Sequence, residues 1–214
     1  MTHHFPRTTL LLVIVTITGA CGTFSHENTP RLAVVSASES PSKRPSIRLN
    51  VQAFTKKSGA TLAIHDATAT AALKKMVAKT TEESALFEWY SIEYSDLHQP
   101  DLIVSVELLE DFNDDSWARL PLAFWQGAAE GSLWVIPFPA TIRQRLTTKV
   151  TDRDGKHLKT YEATDGVTAW LAIWSLPFTK NQMETVVQEN WGEMLTNTYH
   201  RMTSDDILRV ANRP

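Results

Sequence analysis

The chain predicts an α+β fold, a mainly antiparallel sheet of about five strands packed with two helices, and three patterns predict it. Stretches that alternate apolar and polar residues come in series. Helical periods of three and four appear near both ends of that series. An Asp-Gly turn joins two alternating stretches into a hairpin. Strands in series with helices set apart favour a sheet covered by helices over a doubly wound fold. Residues 46–214 carry all three patterns, a length suited to a single domain. No internal repeat is present.

The elements follow in order. Ile47, Leu49, Val51 and Ala53 alternate with Arg48, Asn50 and Gln52, which predicts a half-buried first strand. Lys56 to Gly59 make a loop. Asp66 is placed to cap a helix that runs to about Lys79, with Ala71, Leu73, Met76 and Val77 inward and Thr80 to Glu83 breaking it. Leu86 to Ile92, rich in aromatics and β-branched residues, reads as a second strand. Leu102, Val104, Val106 and Leu108 share one face of a third. Ile142, Leu146 and Val150 alternate with Arg143, Arg145 and Lys149 in a fourth. The turn Asp152 to Lys156 returns the chain through a fifth, Leu158, Thr160 and Glu162 alternating with His157, Lys159 and Tyr161. Met183, Val186, Val187, Trp191, Met194, Leu195, Thr198, Tyr199 and Met202 then mark a long amphipathic helix. Asn181 is its expected cap, Thr203 to Asp205 its expected stop, with one further turn from Asp206 to Val210.

Ahead of this domain stand two segments of different composition. Residues 1–20 have the parts of a secretory leader: Arg7 in a weakly basic start, an apolar run from Leu10 to Ile17, and small Thr18, Gly19 and Ala20. The run is about ten residues, whereas a membrane-spanning helix needs roughly 20. Cys21, the single cysteine, follows at once. Residues 22–45 are rich in Ser, Pro, Thr and Asn and read as a flexible linker, too polar to offset chain entropy by burial. Only Leu32 to Val35 is apolar enough to dock on the domain.

Gly19-Ala20-Cys21 resembles the lipobox of bacterial lipoproteins, with Thr18 where that pattern usually has Leu. The resemblance implies cleavage before Cys21, acylation of its sulfur and new amine, and anchoring to one leaflet by two or more chains, which hold where a single chain does not. In the Gram-negative members of that family Gly22, rather than Asp, implies the outer membrane, with the domain in the periplasm.

The domain also resembles small, largely uncharacterised envelope lipoproteins. The likeness lies in Gly131-Ser132-Leu133 to Pro137, the turn Asp152 to Gly155, and Trp170-Leu171 with Leu176-Pro177-Phe178. It implies an accessory role in the envelope and no particular chemistry.

Composition narrows the function. The net charge is −3, and one more negative once Arg7 leaves with the leader. That gives no footprint for nucleic acid, which wants a basic domain. With Cys21 acylated, no thiol remains for a disulfide, so stability rests on the core. Seven Trp and eight Phe supply material for one.

Residues 117–139 crowd Trp117, Trp125 and Trp134 among prolines and glycines, and Trp170 and Trp174 form a second patch. Three readings stay open for these aromatics: core, a partner- or ligand-binding patch anchored by Trp, or contact with a membrane interface.

Catalytic signals are missing. His65, His98, His157 and His200 share no short spacing, no paired-His zinc pattern occurs, and there is neither a Gly-x-Ser-x-Gly elbow nor a phosphate loop. His65-Asp66 reads as a strand-end His beside a helix cap. The acidic stretch Glu107, Glu110, Asp111, Asp114 and Asp115 lacks the alternation and central Gly of a calcium loop and reads as a solvated loop. Arg143, Arg145 and Lys149 read as a solvated sheet face. The sequence thus points to a lipid-anchored envelope protein without catalysis, metal or cofactor, which holds a membrane through its anchor and an envelope protein as partner. A module that binds lipid or glycan in the periplasm is the alternative.

Overall fold

The computed structural model describes residues 24–26, 44–57, 60–92, 99–112, 138–171 and 176–210. The fold is α+β. Among the described residues the strands are β1 (Phe24–His26), β2 (Ser46–Lys56), β3 (Ile64–His65), β4 (Trp89–Ile92), β5 (Leu102–Asp111), β6 (Phe138–Asp152) and β7 (His157–Leu171). The helices are α1 (Ala67–Ser84), α2 (Leu176–Ser204) and the single turn α3 (Ile207–Val210). The strands form one sheet in the order β1-β7-β6-β5-β2-β3, with β4 also paired to β2.

Pairing is antiparallel except where β2 lies parallel to both β4 and β5. The β2–β4 pair is parallel because α1 carries the chain back along the sheet between them, as a parallel connection requires. Ser46 ties the start of β2 to β5, its backbone N–H and hydroxyl both donating to Asp101 Oδ2 at 2.8 Å. The β6–β7 hairpin turns at Asp152 to Lys156, where Gly155 takes φ +83° with open space around it. Asp152 Oδ1 accepts there from the backbone of Asp154 and Lys156.

One face of the sheet holds the core. Ile47, Leu49, Val51 and Ala53 line up with Leu102 to Leu108, Ile142, Leu146, Val150, Tyr161 and Val167. The helices cover them with Leu73, Val77, Trp191, Met194, Leu195, Tyr199 and Met202. The other face carries exposed Asn50, Gln52, Glu107, Arg143, Arg145 and Lys149, the one-sided pattern of an antiparallel sheet with one wet face. The two helices approach closely at Gly192, where a Cβ would stand 3.2 Å from Met76 Sδ.

Several expectations shift. The first helix does not break at Thr80 to Glu83. It runs on to Ser84, with Thr80, Thr81 and Ser84 buried and two of the hydroxyls bonded back to the helix: Thr81 Oγ1 donates to the Val77 carbonyl at 2.6 Å, and Ser84 to that of Thr81. It ends where Ala85 enters the left-handed region (φ 49°). Ala71 is exposed, and Thr70 takes the inward position assigned to it. The long helix begins at Leu176, so Asn181 lies inside it and is not its cap. Leu86 and Phe87 are buried but precede the strand, which starts at Trp89. In the fifth strand the inward residues are Tyr161, Asp165 and Val167, while Thr160 and Glu162 face solvent. Within residues 22–45, Phe24 to His26 pair with Val167 to Ala169 at the sheet edge. Among the described residues no helix is long and apolar enough to cross a membrane.

Candidate functional site

The alternation that buries Leu102 to Leu108 continues for two more residues and carries Glu110 to the core face, 7 % exposed. A carboxyl there needs partners. Gln144, 1 % exposed on β6, donates its Nε2 to Glu110 Oε1 at 3.0 Å. Asn190, fully buried on α2, donates its Nδ2 to Gln144 Oε1 at 2.6 Å. The amide groups are thereby oriented: a Gln that donates to a carboxyl presents its oxygen to the next donor. A polar chain thus crosses from β5 through β6 to α2 within the core layer, with buried Asp165 of β7 in register beside Gln144.

Glu110, the first member of this chain, lines a cleft of about 390 Å³. Its walls are Ala69 and Ala72 of α1, Met183, Val187 and Trp191 of α2, Ile142 of β6, and Phe112 just beyond β5. Asp66, Glu110, Glu184, Thr68 and Gln188 supply its polar groups. No Lys, Arg or His lines it among the described residues. Two other hollows, of about 420 and 440 Å³, are lined chiefly by polar residues such as Asn50, Gln52 and Glu107, or Arg48, Gln99 and Asp154. Of these three hollows, the first joins apolar walls to a buried titratable group, the combination that marks small-ligand sites.

Burial pushes the Glu110 carboxyl above the ordinary glutamate range, and the Asp66 carboxylate adds to that; the Gln144 bond and Trp191 pull the other way. The Trp191 indole nitrogen, on a residue 4 % exposed, has no hydrogen-bond partner within bonding geometry. Its N–H lies near enough to Glu110 to favour the ionised form without completing a bond.

At the rim, Asp66 caps α1 as expected, accepting from the Ala69 N–H at 2.9 Å and the Thr55 hydroxyl at 3.1 Å. The Ala69 bond is the main cause that holds its carboxyl below the ordinary aspartate range. His65 is held against the Thr70 hydroxyl at 3.2 Å and edge-on to Phe54, in keeping with a structural role.

Most of the expected site residues are not among those the structure describes. Cys21, Trp117, Trp125, Trp134 and Trp174 lie outside the described residues, as do His98, Asp114 and Asp115. Trp170 stands on β7 opposite Pro139. Glu107 is exposed and Asp111 pairs with Lys56 at 3.6 Å, so the acidic stretch separates into different environments and Glu110 is not in a solvated loop. Among the described residues no group of three or more His, Cys, Asp or Glu is placed to hold a metal ion. Sequence reasoning missed Glu110, Gln144 and Asn190. The signal was there for the first two, which continue the inward registers of Leu108 and Ile142.

No family model matches the chain, and no curated protein matches it. Among solved structures it is similar to the PelC dodecamer from Paraburkholderia phytofirmans, at TM-score 0.34 and 11% identity, covering 82% of this chain and 96% of that one. A second crystal form, of a single-substitution variant of that dodecamer, gives TM-score 0.33 and 10% identity over the same shares.

Proposed function

We propose that this is a lipid-anchored envelope protein whose domain is a binding module rather than an enzyme, and that it receives the apolar part of its ligand or partner in the cleft between α1 and α2. One observation carries the reading: a cleft of about 390 Å³ with apolar walls is lined by buried Glu110, which Gln144, itself bonded to Asn190, holds from behind. Such a cleft offers burial for a hydrocarbon and a small set of polar groups to orient it. The proposal for the anchor rests on the leader and Cys21: cleavage before the cysteine, two or three acyl chains on it, and a domain facing the periplasm from the outer membrane. The apolar walls favour a lipid-like group over a glycan, which wants more hydrogen-bonding side chains than Thr68 and Gln188 provide.

The test is binding of a fluorescent apolar probe to the full chain, compared with Ala72→Trp, which fills the cleft from α1. Saturable binding to the wild type, weakened at least tenfold by Ala72→Trp, is the expected result. Binding that Ala72→Trp leaves unchanged would remove the cleft from the account.

A further inference from the structure

The charge around the cleft has one sign. Asp66, Glu110 and Glu184 are its titratable residues, and no cationic side chain lines it among the described residues. The positive end of α1 opens here, but Asp66 accepts from the Ala69 N–H at 2.9 Å and offsets it. The nearest cation along β2, Lys56, is paired with Asp111. The polar part of the site is one hydrogen bond short, because the buried Trp191 N–H finds no acceptor within bonding geometry.

We propose that the cleft takes a small amphiphilic cation, an ammonium carried on a hydrocarbon stem, with the charge against Glu110 and Asp66 and the stem between Ala72, Phe112 and Val187. The inference rests on the binding-module reading and adds the chemical class of the ligand. An isolated carboxylate is costly to bury, and a matching cation offsets that cost in a site of low dielectric. An ammonium that holds Glu110 ionised also makes its carboxylate a stronger acceptor for the Trp191 N–H, which already favours that form, so one guest serves both groups. A neutral stem alone would leave the carboxyl desolvated. An anionic amphiphile would meet three carboxyl groups. The volume, about 390 Å³, lies within the range of small-ligand sites, roughly 300–1,000 Å³.

Three probes of equal chain length separate the contributions: octylammonium, octanol and octanoate, each kept below its micellar concentration. They are titrated calorimetrically into the full chain carrying Cys21→Ala, which removes the acyl site and lies outside the described residues. Octylammonium is expected to bind at least tenfold tighter than octanol, with octanoate weakest. Glu110→Gln should cut octylammonium affinity at least tenfold and leave octanol within about twofold. Glu184→Gln, an exposed position, should cost octylammonium a further two- to threefold and keeps the test alive should Glu110→Gln fail to fold. Equal binding of all three probes, or tighter octanoate, overturns the cation and leaves the apolar cleft standing. No binding of any probe overturns both.

Discussion

Replacing Gln144 by Met tests whether the buried polar chain holds its place by mutual satisfaction. Methionine keeps the length of the side chain and removes both polar atoms. Two buried groups then lose a partner: Glu110 Oε1, which accepts from Gln144 at 3.0 Å, and Asn190 Nδ2, which donates to it at 2.6 Å. Losing a hydrogen bond at each buried group costs about 1–3 kcal/mol, so Gln144→Met should destabilise by about 2–6 kcal/mol. For a domain of this size that lowers Tm by about 5–20 °C. Urea unfolding at neutral pH measures it as a drop in midpoint at constant slope. The double variant Glu110→Met/Gln144→Met removes the buried carboxyl as well and should recover about 1–3 kcal/mol, since exchanging both partners for apolar groups is far milder than exchanging one. The reasoning fails if the single variant costs less than about 0.5 kcal/mol, or if the double variant is no more stable than the single.

Three further outcomes follow from the same geometry. The folded pKa of Glu110 lies above its ordinary value of 4.5, so its favourable contribution is complete below that value and is lost as pH rises through the raised one; chemical unfolding from pH 4 upward should show wild type losing ground to Glu110→Gln. Asp66→Ala removes the cap on α1 and should cost about 1 kcal/mol, or about 2–4 °C in Tm by calorimetry; its folded pKa is lowered, so the loss should fade as pH falls below the ordinary 3.8 and through the depressed value. Tyr199, buried between the helices, meets Thr81 Oγ1 at 2.7 Å; Thr81 spends its one proton on the Val77 carbonyl, so Tyr199 is the donor and Tyr199→Phe should cost only about 0.5–1.5 kcal/mol in urea titration.

Much of the fold was legible because its periods are simple. Leu102 to Leu108 and Ile47 to Ala53 alternate cleanly over a one-sided sheet, and Met183 to Met202 keep one stripe against it. Asp66 could be read as a cap from its place before an apolar period alone. The ends were harder. Thr80 to Glu83 look like a helix break until the tertiary fold buries Thr80 and Thr81 and brings Tyr199 to Thr81, which no local window contains. Leu176 to Gln182 extend α2 beyond a pattern that starts at Met183. The parallel seam between β2 and β5 is set by the α1 crossover and the Ser46–Asp101 tie, contacts 55 residues apart. The cleft was legible only in part. Glu110 and Gln144 sit on the inward registers, but polar residues there read as solvated until Asn190 and Trp191 arrive from a helix far along the chain.

Native mass spectrometry of the protein extracted from its membrane, wild type beside Ala72→Trp, reads the anchor and the cleft together. The account predicts a chain that begins at Cys21 with two or three acyl chains, and a small noncovalent adduct on the wild type that Ala72→Trp lacks. An unmodified, soluble chain would contradict the anchor, and an adduct unchanged by Ala72→Trp would contradict the cleft.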